Sequence, residues 1–166
     1  MFYPNYSDFI KKSSLGNVIP IYREIFADMD TPVSAYLKIN NSKYSFLLES
    51  VEGGEKWARY SFLGTEPSLI FKSKGEDIFI ERDGNVTHYK SKDPLAEFKK
   101  LMCKFTPVDV CGLPRFFGGA VGYVGYDFVR FIENLPEKAE DDFDAKDLFF
   151  IITDTLLIFD NVKLLY

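Results

Sequence analysis

A carboxylate and a hydroxyl, Glu49 and Ser50, close a run of apolar residues that reads as a buried strand. Polar groups in such a place cost free energy unless they are paired. A bound amino acid is one source of partners, and pairing within the protein is the other. A second set of able side chains is Glu137, Glu140, Asp141, Asp142 and Asp144. Paired carboxylates can move protons or hold magnesium, but these share one polar loop, where a solvated surface run is the better reading. The glycine-rich stretch from Gly118 to Gly125 has neither the Gly-Lys-Ser/Thr ending of a nucleotide loop nor the Gly-x-Gly-x-x-Gly order of a dinucleotide fold. It reads instead as a bulge or a close backbone approach, with Tyr123 and Tyr126 packing over the gap.

Cys103 and Cys111 lack Cys-x-x-Cys spacing and read as reduced and structural. His88 is the single histidine and falls in a surface strand, so a zinc set is not assembled. No serine stands with it in a nucleophile motif. The residues taken alone offer no catalytic constellation and no resident cofactor.

The elements that must position these groups follow from composition and period. With 166 residues, 46% hydrophobic and 17% aromatic, the chain has apolar material for one compact domain, residues 1–166, rather than a disordered segment. Twenty basic against 25 acidic residues give a net charge of −5, and no basic face is available to displace counterions from a phosphate backbone. Nucleic acid is excluded as the expected partner. The start Met1-Phe2-Tyr3-Pro4-Asn5 is no targeting segment and no apolar run reaches spanning length, which points away from the membrane and to a soluble cytoplasmic protein.

Asn5 or Ser7 is placed to cap a short first helix, and an extended segment spans Val18 to Ile25. Thr31-Pro32 then opens a helix carrying Val33, Tyr36 and Leu37. Tyr44 to Val51 reads as a strand buried on both faces, with Phe46, Leu48 and Ser50 on one and Leu47, Glu49 and Val51 on the other. A loop at Glu52-Gly53-Gly54-Glu55 follows. Strands at 59–63, 68–71, 78–80 and 86–89 form an antiparallel meander, the last two joined at Asp83-Gly84. Asp93-Pro94 starts the clearest helix, with Leu95, Phe98, Leu101, Met102 and Phe105 facing the sheet. Tyr126 to Arg130 is a short helical turn. Two closing strands are expected, 147–159 and 162–166, turning at Asp160-Asn161. Ending at Tyr166 inside an apolar strand, the chain reads as cut. The pattern predicts an α+β fold of antiparallel, sandwich-like sheets with a few packed helices.

Three ordered stretches carry a resemblance. Leu47-Leu48-Glu49-Ser50-Val51-Glu52-Gly53-Gly54-Glu55, then Arg59-Tyr60-Ser61-Phe62-Leu63-Gly64, then Pro114-Arg115-Phe116-Phe117-Gly118-Gly119-Ala120-Val121-Gly122-Tyr123 with Tyr126-Asp127-Val129-Arg130 behind it, resemble the amino-terminal region of anthranilate synthase component I. The resemblance covers nearly the whole chain. It implies that the intact enzyme, a lyase, converts chorismate and an amino donor to anthranilate and pyruvate in tryptophan biosynthesis. The donor is glutamine, delivered through an amidotransferase subunit (component II), or free ammonia. The family's chorismate site, its Mg2+ and its catalytic residues belong to a following domain absent here, so this chain alone is expected to be inactive.

The resemblance also implies a feedback site for L-tryptophan between this region and the missing catalytic domain. Carried over, Ser50 is the first binding residue, Glu49 the partner for the ligand's ammonium, and Leu48 the wall on the indole side. Arg59 and Tyr60 follow from the related aminodeoxychorismate synthases, whose equivalent segment lies beside bound tryptophan. Tryptophan is then expected to favour a domain arrangement with a poorly formed chorismate site. Two alternatives stand beside this: component I of aminodeoxychorismate synthase, and a stand-alone, non-enzymatic amino acid sensor or docking module.

Overall fold

The structure is a computed structural model, and it describes residues 1–49, 59–136 and 141–161. It is α+β, with one three-stranded and one five-stranded sheet, both antiparallel, as expected. The chain groups into two compact units. The first takes Met1–Glu66, Lys104–Gly119 and Thr153–Tyr166, and the second takes Pro67–Cys103 and Ala120–Ile152.

In the first unit, helix α1 (Tyr6–Lys12) starts where the Asn5 side chain accepts from the Asp8 amide at 3.0 Å. Helix α2 (Pro32–Ile39) opens with a reciprocal cap: Thr31 accepts from the Ser34 amide and Ser34 from the Thr31 amide, with Pro32 preset for the first turn. Strand β1 (Ser45–Leu48) runs against β2 (Tyr60–Thr65), and β2 runs against β8 (Leu156–Asp160), in the order β1-β2-β8. The core forms where Leu63 of β2 and Phe159 of β8 meet Ala27 and Ala35, with Tyr36, Ile39, Leu47 and Leu157 closing its edge. Burial of side chains the size of Leu63 or Phe159 contributes about 1.5–3 kcal/mol each.

Phe46 and Gly64 face each other across the β1–β2 pair, and a Cβ on Gly64 would sit 2.3 Å from the Phe46 ring. Glycine there lets the ring lie flat over the sheet. Asn17 stitches distant segments together, donating to Lys104 O and accepting from the Thr106 amide, each at 2.6 Å.

The second unit is built on the order β5-β4-β3-β7-β6. Its strands are β3 (Leu69–Lys74), β4 (Asp77–Arg82), β5 (Asn85–Lys90), β6 (Ala120–Val124) and β7 (Leu148–Ile152). The β4–β5 hairpin turns on Asp83 and Gly84, both at positive φ (50° and 76°), as a two-residue turn matched to strand twist requires. Helix α3 (Pro94–Met102) begins with the Asp93 carboxylate accepting from the Ala96 amide at 2.9 Å. Its Phe98 stacks on Phe150 with ring centres 4.2 Å apart and lies 5.1 Å from Phe71, and Leu101 and Met102 join the same core of Leu69, Phe71, Ile78, Leu148 and Ile152.

The helix stops at Met102, so Phe105 falls beyond it, and Leu95 stays more than a third exposed. The apolar stripe is therefore shorter than its residue spacing suggested. Gly122 in β6 meets the Phe149 carbonyl, which a Cβ would approach to 1.9 Å, so the glycine-rich stretch is a close backbone approach. Tyr123 stacks on Phe149 at 5.7 Å, whereas Tyr126, in the 3-10 turn Tyr126–Phe131, points into solvent.

The expected strand across 147–159 is corrected: it is two strands, β7 and β8, in different sheets. Thr153, Asp154 and Thr155 break an otherwise unbroken apolar run, and the chain leaves the second unit there. The expected loop at 52–55 and strand at 162–166 lie outside the described residues. Among the described residues no helix is long and apolar enough to cross a membrane.

Candidate functional site

Strand β1 is enclosed at Phe46 and open at its end, where Leu48 leads into Glu49. Phe46 is buried, Leu47 packs into the core of the first unit, and Leu48, paired with Phe62 of β2, is 45% exposed. Glu49 follows the last residue of β1 and is exposed. The expectation of burial on both faces thus holds at Phe46 and Leu47 and fails at Leu48 and Glu49, while Val51 lies outside the described residues. Ser50, the first binding residue expected, lies outside the described residues.

Arg59 and Tyr60 stand at the entry to β2. The Arg59 guanidinium engages the carboxylate of Asp160, the last residue of β8, through two bonds, Nε to Oδ1 at 3.0 Å and Nη2 to Oδ2 at 2.7 Å. Its Cζ lies 4.9 Å from the centre of the Tyr60 ring, a cation–π distance. Tyr60 and Asp160 are register partners, and the Asn161 amide donates to the Arg59 carbonyl at 2.8 Å, so backbone pairing sets the geometry of the ion pair. The Asp160 hydrogen bonds raise the Arg59 guanidinium further above its usual range. The Asp160 side chain is 12% exposed and that of Arg59 is 35% exposed. Such a carboxylate is costly without a cation, and the two-pronged fork answers that cost.

This ion pair belongs to the wall of a groove of about 500 Å³ in the first unit. The groove is lined by residues 21–25, 112–114 and 155–158 together with Arg59, Tyr60, Leu63 and Asp160. Most of the wall is apolar. Polar groups enter at few points: the ion pair, Tyr22, Arg23, Glu24, Tyr60, Thr65 and Thr155. Thr65 Oγ1 is buried without a hydrogen-bond partner among the described residues. Tyr22 donates to the Cys111 carbonyl at 3.1 Å, and desolvation, then Glu24, raises its hydroxyl pKa. Gly112, at φ 95°, leaves the space the Tyr22 hydroxyl needs. An apolar cleft with a few convergent polar groups suits a ligand with an apolar body and a charged head.

Of the expected binding residues the structure brings Arg59 and Tyr60 into the groove; Leu48 and Glu49 are not in its lining. Asp160 was missed, although it ends an apolar strand with a carboxylate just as Glu49 does. In the sequence Asp160-Asn161 reads as a turn, which hides that signal.

Two other polar groupings among the described residues pair locally. Lys74 pairs with Asp141 and Asp144 and donates to the Ala145 carbonyl at 2.7 Å, which ties the acidic loop to β3. Both carboxyls are held below the usual aspartate range, Asp141 by Lys74 and Asp144 by Lys146. Glu137 and Glu140 lie outside the described residues. His88 Nε2 and Asp77 Oδ1 are 2.7 Å apart on the exposed β4–β5 hairpin, and the His88 ring stacks on Phe79 at 4.5 Å. Among the described residues no group of three or more His, Cys, Asp or Glu could hold a metal ion.

No protein-family model matches the chain. Curated relatives do. Anthranilate synthase component 1 of Acetivibrio thermocellus is 44% identical over 164 residues, which is 98% of this chain and 33% of that protein. The protein of the same name from Aquifex aeolicus (strain VF5) is 41% identical over 153 residues, 92% of this chain and 31% of that protein. That of Pseudomonas putida is 39% identical over 162 residues, 95% and 33% respectively. Among solved structures, anthranilate synthase component I from Streptococcus pneumoniae TIGR4 superposes with a TM-score of 0.51 at 26% identity, covering 86% of this chain and 30% of that one. The chain thus spans about a third of the length of the curated relatives it matches.

Proposed function

We propose that this chain, related over nearly its whole length to anthranilate synthase component I, forms the amino-terminal part of such a protein and supplies one side of a tryptophan feedback site. The observation that carries the reading is the match across 98% of the chain to one third of a relative of that name. The complete protein would then convert chorismate to anthranilate and pyruvate, taking its amino group from glutamine through an amidotransferase subunit or from ammonia. In this reading Mg2+ would be held by the part of such a protein that this chain does not span. This portion contributes regulation rather than bond making.

The chemistry of the groove supports the regulatory half of the reading. Tryptophan has a large apolar ring system and a zwitterionic head, and the first unit presents an apolar cleft with an ion pair in its wall. In this reading Ser50 and Glu49, which follow β1 in sequence, bind the head, Leu48 meets the indole, and Arg59 and Tyr60, the two that line the groove, complete the site. A charge-assisted bond from Glu49 to the ligand's ammonium contributes about 1.5–3 kcal/mol. Bound tryptophan favours the domain arrangement in which the chorismate site is incomplete, a coupling of about 1–3 kcal/mol.

The test is an assay of the complete gene product. Anthranilate fluorescence should appear from chorismate with glutamine or ammonia, tryptophan should suppress it, and Ser50→Phe should remain active while losing that suppression. Formation of aminodeoxychorismate instead would place the protein in the folate branch, and equal suppression of Ser50→Phe would remove Ser50 from the site.

A further inference from the structure

The five-stranded sheet of the second unit ends on two unlike strands, β5 and β6. At the β5 edge Asn85, Thr87, His88 and Lys90 are polar, and His88 and Lys90 pair with Asp77 of β4. Polar and charged side chains of this kind discourage the addition of another strand. Strand β6 reads Ala-Val-Gly-Tyr-Val, with no charge and no proline. Its backbone is committed on one side only. The Gly125 amide donates to the Asp147 carbonyl at 2.7 Å, so alternation along the antiparallel pair turns the backbone groups of Tyr123 toward β7 and those of Val124 to the open edge. Apolar side chains are left uncovered on both faces there. Val124 is 54% exposed although its register partner Leu148 is fully buried, and Tyr123, on the other face, is 46% exposed although it stacks on Phe149.

We infer that the open edge of β6 takes a further strand, supplied by the part of the complete protein that this chain does not span. The chain covers 33% of the Acetivibrio thermocellus relative, so about two thirds of a protein of that length lies elsewhere in the same polypeptide. A segment tethered to the same chain meets the edge at a high effective concentration, ahead of a second copy. Its backbone groups complete the ladder at Val124, and its side chains cover the two faces in turn. The residue beside Val124 continues the core that holds Leu148 and Ile152, and the residue beside Tyr123 extends the stack on Phe149. The occupant is therefore an extended, uncharged run with apolar residues on both faces. This rests on the reading of the chain as one part of a longer protein, and it is independent of tryptophan and of the groove in the first unit.

Hydrogen exchange of the complete gene product, read residue by residue, tests this without any substitution. The decisive amide is that of Val124, between Tyr123 and Gly125, whose amides face β7. With the edge paired, Val124 should exchange at least about a hundredfold more slowly than an unstructured amide, as its two neighbours do. An open edge gives alternation instead, with Val124 fast between two slow amides, and that pattern overturns the inference. Protection of Val124 that disappears when the protein is diluted to monomer makes the occupant a second copy and overturns it as well.

Photocrosslinking identifies the strand, with benzoylphenylalanine in place of Tyr123 in an equal mixture of light- and heavy-isotope protein. The joined peptides should come from one polypeptide and link position 123 to a residue beyond Tyr166. Links between light and heavy copies, or links only to residues of this chain, overturn the inference. Should that variant fail to fold, the exchange rate of Val124 in the unaltered protein still decides. A gene product that ends at Tyr166 would take down the reading of this chain as one part of a longer protein, and this inference with it. A longer gene product with a fast Val124 amide would take down the inference alone.

Discussion

Arg59 and Asp160 stand 101 positions apart in the chain and meet in a two-pronged ion pair where β2 begins and β8 ends. Their unequal burial gives a direct expectation for stability. Asp160 is the more enclosed partner, so removing Asp160 from Arg59 and removing Arg59 from Asp160 are not equivalent changes. Arg59→Gln takes the guanidinium away from a carboxylate that little water reaches, whereas Asp160→Asn takes the charge from beside a guanidinium that is about a third exposed. Thermal unfolding should therefore show the larger drop in Tm for Arg59→Gln, with the double variant less affected than Arg59→Gln alone. A strictly additive double variant would mean that the two residues do not act as a pair.

Gly122 tests the close approach of β6 to β7. A methyl group there meets the Phe149 carbonyl rather than a movable side chain. Gly122→Ala should cost at least about 1–3 kcal/mol in denaturant unfolding. Gly64→Ala meets the Phe46 ring and should cost a similar amount, recoverable in part by Phe46→Leu. Wild-type stability for Gly122→Ala would contradict the β6–β7 register.

In the second unit, Phe71 is fully buried between α3 and the sheet. Phe71→Ala should cost about 3–5 kcal/mol, the usual range for emptying such a site. Asp93→Ala, which removes only the cap of α3, should cost about 1 kcal/mol. A reversed order would place the helix somewhere other than on this core.

Acid sensitivity follows from Asp77. His88 first, then Lys90, holds its carboxyl below the ordinary aspartate value of 3.8. A depressed folded-state pKa means that the ionised form stabilises the fold, so the contribution is complete above the unfolded-state value and disappears as pH falls through the folded-state one. Unfolding of wild type and Asp77→Asn should differ by a constant amount near neutrality and converge below pH 3.8. Divergence at acid pH would reverse the sign of the interaction.

Much of the local structure was legible because it depends on neighbours in sequence. Asn5, Thr31 and Asp93 all cap the helices they precede, and Asp83-Gly84 forms the hairpin turn expected of it. The α+β class followed from strands that pair through short turns. Thr153-Asp154-Thr155 marks a break between β7 and β8, but that the chain changes sheets there was not legible, since a switch between sheets is decided by tertiary pairing. The groove was hidden for the same reason. Tyr22, Gly112 and Leu156 carry no periodic signal, and they share a wall only after β2 has brought β8 alongside. Arg59 and Tyr60 came from family resemblance, whereas Asp160 needed the register between two strands.

The central claim is that tryptophan meets the first unit of this chain at the end of β1 and the start of β2. Hydrogen exchange of the complete gene product, with and without saturating tryptophan, reads that contact directly. Peptides covering residues 44–49 and 59–65 should exchange more slowly with tryptophan bound, while the β4–β5 hairpin at residues 77–90 stays unchanged. Protection confined to segments outside this chain, with both of those peptides unaffected, would contradict the claim.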